Sequence, residues 1–245
     1  MITDTKIDDD GTPYTIYNAS SPDELALVNG ARHLGFAFLN RDDDGNMVCE
    51  AWGEEIRYKL LNVIEFDSTR KRMSVIVRTP DGRILVICKG ADSIIEKRLK
   101  ANQGHLETTK GFLDDFAKTG LRTLLIASKE ISEDNYNKWQ LKYLKAATSD
   151  NKEAEMNRVA EQLEVEFDLI GSTAIEDKLQ EDVGQTIYDI RQAGIKVWVL
   201  TGDKVETAMN IGHACRLLES EMNMFLIQKM SHKGVTKEIE DAYQN

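Results

Sequence analysis

Three strand-like runs follow one another at short intervals: residues 57–66 (RYKLLNVIEF), 73–78 (MSVIVR) and 83–88 (RILVIC). Short runs rich in β-branched and aromatic residues and bounded by turn residues read as strands. The last two are joined by Thr79, Pro80, Asp81 and Gly82, where the proline fixes the backbone ahead of Asp81 and Gly82. This is an antiparallel meander. Arg70, Lys71 and Arg72 stand between the first two runs, close behind Phe66. A basic cluster is therefore expected at one end of a sheet, beside an aromatic ring able to face a planar ligand.

That cluster matters because the rest of the chain is acidic. The 245 residues carry a formal charge of −11, which repels phosphate backbones over long range and argues against nucleic acid as the main partner. A nucleotide can still bind where positive charge is locally concentrated. Composition is that of a soluble globular protein, 41% hydrophobic and 30% charged, with only three prolines and hence no Pro-rich linker. The length suits one large or two modest domains. No apolar run approaches a bilayer span, and Asp4 and Asp8 to Asp10 occupy the place where a signal peptide needs apolar residues. Cys49, Cys88 and Cys215 have no metal-like spacing and read as reduced thiols, which favours a cytosolic setting.

Helices interrupt the meander. SSPDELALVNGARHLG supplies Ser21 as N-cap, Pro22 at the first helical position, Glu24 three residues after the cap and Gly35 as the stop. In CKGADSIIEKRLK, Lys89 and Gly90 lie between a strand and a helix. Phe112, Leu113, Phe116 and Ala117 mark a further helix ended by Gly120, before the strand LRTLLIAS with Arg122 at its beginning. Two more helices carry Tyr136, Trp139, Tyr143 and Ala147, then Met156, Val159, Ala160 and Leu163, the last in an acidic stretch expected to form an outlying hairpin.

Near residue 165 the pattern changes. VEFDLIGS reads as a strand, KLQEDVGQTIYDIRQAG as a helix and IKVWVL as an apolar strand, together a crossover unit of a parallel sheet. Ligands gather at the carboxyl ends of such strands, where helix N-termini offer free N–H groups. Thr201, Gly202 and Asp203 occupy that position. Thr201 can donate to a phosphoryl oxygen, Gly202 allows close backbone approach, and Asp203 can cap the helix or assist a metal site.

SPDELALV, EFDSTRKRMSVIVR, CKGADSII, TGLRTLLIA, AIEDKLQEDV and AGIKVWVLTGDKVETAMNIGHAC occur in the order found in the cytosolic part of P-type ATPases. The wording most closely resembles the type IV subfamily, the phospholipid flippases, over nearly the whole chain. The resemblance implies an α+β nucleotide-binding domain over residues 1–165, a twisted antiparallel sheet flanked by helices. A partial phosphorylation domain of the α/β haloacid-dehalogenase type would follow over 166–245. The family's phosphorylated aspartate lies in a DKTGT motif and its magnesium site in a GDGxND motif, and neither string occurs here. The chain is thus expected to be an excised piece without a catalytic residue of its own, cytosolic beside a membrane-embedded parent.

The resemblance also assigns ligand roles. ATP, with magnesium, would meet Phe66 by stacking and Glu24 through the adenine amino group, although Glu24 can equally complete a capping box with Ser21. Ser68 and Lys71 would border the nucleotide by hydrogen bonding and charge. Lys89 would recognise it with a compact ammonium, and Arg122 would contact phosphate or ribose with its fork. Thr201, Gly202 and Asp203 would help hold the transferring phosphoryl group. Asp67 stands where many relatives have a neutral residue, and a carboxylate near phosphates weakens binding unless Lys71 or magnesium offsets it. Further partners implied are the membrane and actuator domains of the parent, a phospholipid substrate and an accessory subunit. Three other readings are a cation-transporting P-type ATPase, a soluble haloacid-dehalogenase-type phosphatase, and a regulatory module that keeps the fold without using nucleotide.

Overall fold

The structure is a computed structural model that describes residues 2–7, 13–19, 21–176, 178–201, 205–227, 229 and 231–244. The chain divides into two compact units, Met1–Asp177 and Lys178–Asn245. In chain order the first holds strands β1 (Ile2–Ile7) and β2 (Pro13–Asn18), helix α1 (Pro22–His33), then β3 (Phe36–Arg41), β4 (Met47–Ala51), β5 (Glu54–Asp67), β6 (Arg72–Arg78) and β7 (Ile84–Gly90). Helices α2 (Asp92–Ile95) and α3 (Leu106–Lys118), strand β8 (Arg122–Ile131), helices α4 (Glu133–Ala147) and α5 (Lys152–Leu163) and strand β9 (Asp168–Ile175) complete it.

β3 to β9 form one seven-stranded sheet in chain order, every neighbouring pair antiparallel. The TPDG turn closes as its residues dictate, with the Gly82 N–H donating to the Thr79 carbonyl at 2.9 Å and Gly82 at φ 89°. Alternation then sorts side chains by face. Ile64, Ser74, Ile76, Val86, Cys88, Leu125 and Ala127 are all buried, and the ladder lines Ile64, Ser74, Cys88 and Ala127 in one row. Against this face pack Ile95, Leu113, Tyr136, Trp139, Val159, Ala160 and Leu163 from the helices. Burial is the main cause that lifts the Cys88 thiol to a pKa of about 11, so it stays a protonated apolar filler.

The structure corrects the expectation of an outlying hairpin at α5. Its apolar stripe closes the core, because α4 and α5 are tied together by the Trp139 indole N–H donating to the Val159 carbonyl at 3.0 Å. β9 is a second correction. It pairs antiparallel with β8, from Arg122 opposite Ile175 to Ser128 opposite Asp168, and so does not open a parallel crossover unit. Strand composition reports a ladder without its direction.

The basic cluster is corrected as well. Arg70 and Arg72 are 6% and 2% exposed and converge on Glu164, which is fully buried just past the end of α5. Arg70 Nη2 reaches both carboxylate oxygens at 2.5 Å, Arg72 Nε donates at 2.8 Å, and the Ser74 hydroxyl at 2.7 Å. Of the three cations only Lys71 is exposed. β6 alternation carries this outcome, since Arg72, Ser74 and Ile76 share the core face.

The second unit contains α6 (Val183–Gln192), α7 (Val205–Ala214) and α8 (His232–Gln244). Residues 195–200, expected as a strand, have no regular structure, with Trp198 84% and Leu200 98% exposed. A strand exists only through its ladder, and no described residue of this unit belongs to one.

Removing Glu164 leaves two buried guanidinium groups without their counter-ion. Glu164→Ala is expected to lower unfolding free energy by about 3–5 kcal/mol, within the range for breaking a buried pair from one side. Urea unfolding measures it, and a loss under about 1 kcal/mol would place this cluster among surface-like ion pairs.

Candidate functional site

The turn between β5 and β6 is built from its own backbone. The Asp67 carboxylate accepts the Thr69 N–H at 2.6 Å, and that bond holds its pKa below the usual carboxylate range. The Lys71 N–H donates to the Asp67 carbonyl at 2.7 Å, with Lys71 at φ 52°. Its carbonyl in turn accepts the Ala91 N–H at 3.0 Å. Arg72 stands opposite Gly90 in the ladder, and a Cβ on Gly90 would lie 2.6 Å from both the Arg72 Cβ and the Lys71 carbonyl oxygen. The STRKRMS and KGAD stretches, remote from each other in sequence, thus clasp backbone to backbone.

The clasp fixes one row of side chains on the face of the sheet opposite the core. Lys89 lies opposite Met73 on β6 and Ile126 on β8, and Ile126 opposite Gly171 on β9. On β5 the ladder is irregular between Ile64 and Asp67 and resumes with Asp67 opposite Arg72, so Glu65 and Phe66 together stand across from Met73. Phe66 is 63% exposed, whereas Met73, Lys89 and Ile126 are half-buried.

Helix α1 supplies the opposing charges. Ser21 caps it by accepting the Glu24 N–H at 3.2 Å, and Pro22 occupies the first turn. The Glu24 carboxylate does not return to the cap; it forms an ion pair with the Lys89 ammonium. Beside it, Asp23 faces Arg122 at 3.3 Å. Two carboxylates in a helix first turn are favourably placed by the dipole, and each meets a cation at the sheet. Asp23 escaped the sequence reading, although its position next to Glu24 in SPDE was the available signal.

Glu24, Phe66, Lys89 and Arg122 are thus tied to one open face through ladder and ion pairs, with Lys71 and Ser68 exposed in the adjoining turn. An apolar platform of Phe66, Met73 and Ile126 flanked by an ammonium–carboxylate pair suits a flat, hydrogen-bonding aromatic ring. Thr201 is exposed in the second unit, and Gly202 and Asp203 lie outside the described residues. Among the described residues no three His, Cys, Asp or Glu side chains are grouped to hold a metal.

The family model described as P-type ATPase, cytoplasmic domain N, matches residues 2–182. The chain is 50% identical over 217 residues to the phospholipid-transporting ATPase DRS2 of Saccharomyces cerevisiae, covering 87% of this chain and 16% of that protein. It is 53% identical over 212 residues to the phospholipid-transporting ATPase dnf2 of Schizosaccharomyces pombe, covering 85% and 15%. With the phospholipid-transporting ATPase IC of Xenopus tropicalis it shares 49% over 208 residues, covering 84% and 16%. The chain therefore matches only about a sixth of the length of each of these relatives.

Because both atoms nearest a Cβ on Gly90 are held by the strands, Gly90→Ala forces the clasp apart. A loss of about 1–3 kcal/mol is expected from overpacking. Gly111→Ala, in helix α3 with open space at the Cβ, should instead be neutral or stabilising by about 0.5–1 kcal/mol. Thermal unfolding of both variants checks this; equal midpoints would show that the strands separate freely.

Proposed function

This chain belongs to the P-type ATPase cytoplasmic domain N family, and from that premise we propose that it binds ATP on the open face of its sheet and presents the terminal phosphate to an aspartate outside this sequence. One observation carries the reading: Phe66, Lys89 and Glu24, separate in sequence, are brought to a single solvent-facing surface. The purine stacks on Phe66, and the Glu24 carboxylate accepts from its exocyclic amino group while Lys89 holds that carboxylate in place. Arg122, held by Asp23, reads ribose or phosphate, and Lys71 and Ser68 border the tail. Magnesium arrives with the phosphates.

The domain expected over residues 1–165 is the nucleotide-binding domain, which we extend to the end of the first compact unit because β9 belongs to its sheet. The remainder, 178–245, is part of a phosphorylation domain of haloacid-dehalogenase type, in which Thr201, Gly202 and Asp203 help hold the transferring group. In the parent the two domains act by positioning and charge neutralisation rather than by supplying a nucleophile from this chain. The names of the relatives support a parent that translocates phospholipid, with membrane and actuator domains and an accessory subunit as partners; they weigh against a cation-transporting parent. Among the described residues no helix is long and apolar enough to cross a membrane. We place the chain at the cytosolic face of that membrane.

Since the contacts centre on the nucleoside, ADP and ATP should bind with similar affinity and other bases more weakly. Titration calorimetry decides, and a strong dependence on the terminal phosphate or indifference to adenine would sink the assignment. Lys89→Ala removes a charge-assisted contact worth about 1.5–3 kcal/mol, roughly ten- to a hundredfold in affinity. An unchanged dissociation constant in the folded variant removes Lys89 from the site. A chain that gains no thermal protection from ATP is the nucleotide-independent module instead.

With magnesium and gamma-labelled ATP, the chain should bind nucleotide yet acquire no acid-stable, hydroxylamine-sensitive label. Such a label would mean that the nucleophile lies within these residues.

A further inference from the structure

Helices α4 and α5 pack on the core side of the sheet, away from the face of Phe66 and Lys89, and a cleft opens between them at their connection. Helical spacing makes one wall. Tyr136, Trp139 and Ala146 of α4 are buried, which turns the stripe of Lys138, Lys142 and Lys145 outward. Lys138 pairs with Asp134 at 2.6 Å, whereas Lys142 and Lys145 are exposed, line the cleft and form no ion pair among the described residues. From α5, Arg158 gives Nε and Nη2 to one oxygen of Glu155 at 3.1 and 2.8 Å, which leaves its Nη1 to a ligand. Ala146 and Val159, 6% and 2% exposed, form an apolar floor.

The connection holds donors in reserve. The last carbonyls of α4 each accept twice: Lys145 from the Thr148 N–H at 3.2 Å and hydroxyl at 2.9 Å, Ala146 from the Ser149 N–H at 3.2 Å and hydroxyl at 2.8 Å. Either hydroxyl can therefore turn to a ligand while the carbonyl it leaves keeps an N–H. Both residues line the cleft.

Size and charge narrow the occupant. The cleft encloses about 640 Å³, within the range of about 300–1,000 Å³ that suits a small molecule. Three cations against the single carboxylate of Glu155 leave two positive charges in excess, in a chain that is acidic as a whole. A phosphate monoester, at about −1.5 to −2 near pH 7, is the complement. Complementing the helix dipole accounts for Lys145 in the last turn of α4, but not for Lys142 or for a guanidinium brought from the second helix.

We propose that this cleft is a binding site, separate from the nucleotide face, for a small soluble phosphate monoester with an apolar body. Lys142, Lys145 and Arg158 hold the phosphate, the hydroxyls of Thr148 and Ser149 donate to its oxygens, and the body lies on Ala146 and Val159.

The test titrates the whole chain, labelled with nitrogen-15, with phenyl phosphate at constant ionic strength; sodium sulfate, benzyl alcohol and a Glu-rich peptide are the comparisons. The Trp139 indole N–H reports on the floor, because it is bound to the Val159 carbonyl, and Trp52, in the turn after β4, is the reference. The Trp139 indole and the Thr148 and Ser149 amide resonances should shift saturably, half complete below about 1 mM, while Trp52 stays still. Lys142→Gln combined with Lys145→Gln should weaken binding at least about tenfold. Thr148→Ala combined with Ser149→Ala should weaken it about threefold or more. An unchanged thermal midpoint in the lysine variant keeps folding out of the comparison. The proposal is overturned by half-saturation above about 1 mM, by equal shifts with sulfate or benzyl alcohol, by shifts centred on Phe66 and Lys89, by unchanged affinity in the folded lysine variant, or by tighter binding of the Glu-rich peptide.

Discussion

Glu164 holds the corner of the sheet on which the candidate site stands. Its carboxylate sits past the end of α5, where the helix dipole disfavours negative charge, and it is tolerated because Arg70 and Arg72 close on it within 2.5 to 2.8 Å. Those two arginines bracket Lys71. With both guanidinium groups drawn into the interior, the intervening residue is turned outward at φ 52°, and its carbonyl is left facing the Ala91 N–H. The same interaction therefore orients the turn, seats Gly90 against Arg72 and places Lys89 on the outer face. Core chemistry and surface chemistry alternate residue by residue along β6 and β7.

This geometry changes what the run of basic residues means. Three consecutive cations suggest a strongly positive surface, yet two of them are neutralised internally by a residue more than ninety positions away, at separations of 94 and 92. The outer face is closer to charge balance, with Lys89 and Arg122 matched by Glu24 and Asp23. In the proposed role, shape and stacking rather than net charge would do the recognising.

Much of this was legible in the sequence where the signal is local. Ser21 and Pro22 specify the start of α1, TPDG specifies a tight turn, and the alternation of MSVIVR specifies which side chains face inward. The partner of Arg70 was not legible, because nothing near it in sequence singles out Glu164 from the carboxylates of α5 beside it. Nor was the direction of β9, since a short strand with Gly171 in it reads alike in parallel and antiparallel ladders. IKVWVL shows the opposite failure: its composition is that of a strand, but strand structure belongs to a pair and no described residue of its unit supplies the other half. At the candidate site, Lys89 and Phe66 were singled out from motif order, while the contact of Asp23 with Arg122 required seeing α1 laid against the start of β8.

The ion pairs of α1 also bear on how fast a ligand can come and go. An anion arriving at Lys89 or Arg122 meets cations that already have counter-ions, so the electrostatic gain is the difference between two pairs rather than the whole of one. Long-range attraction to such a surface is weak in a chain of charge −11, and entry is not accelerated by steering. In the proposed role, departure is helped by the same arrangement, because the Asp23 carboxylate recaptures Arg122 as the ligand leaves. In the role proposed above, such a site favours rapid exchange of nucleotide over long residence.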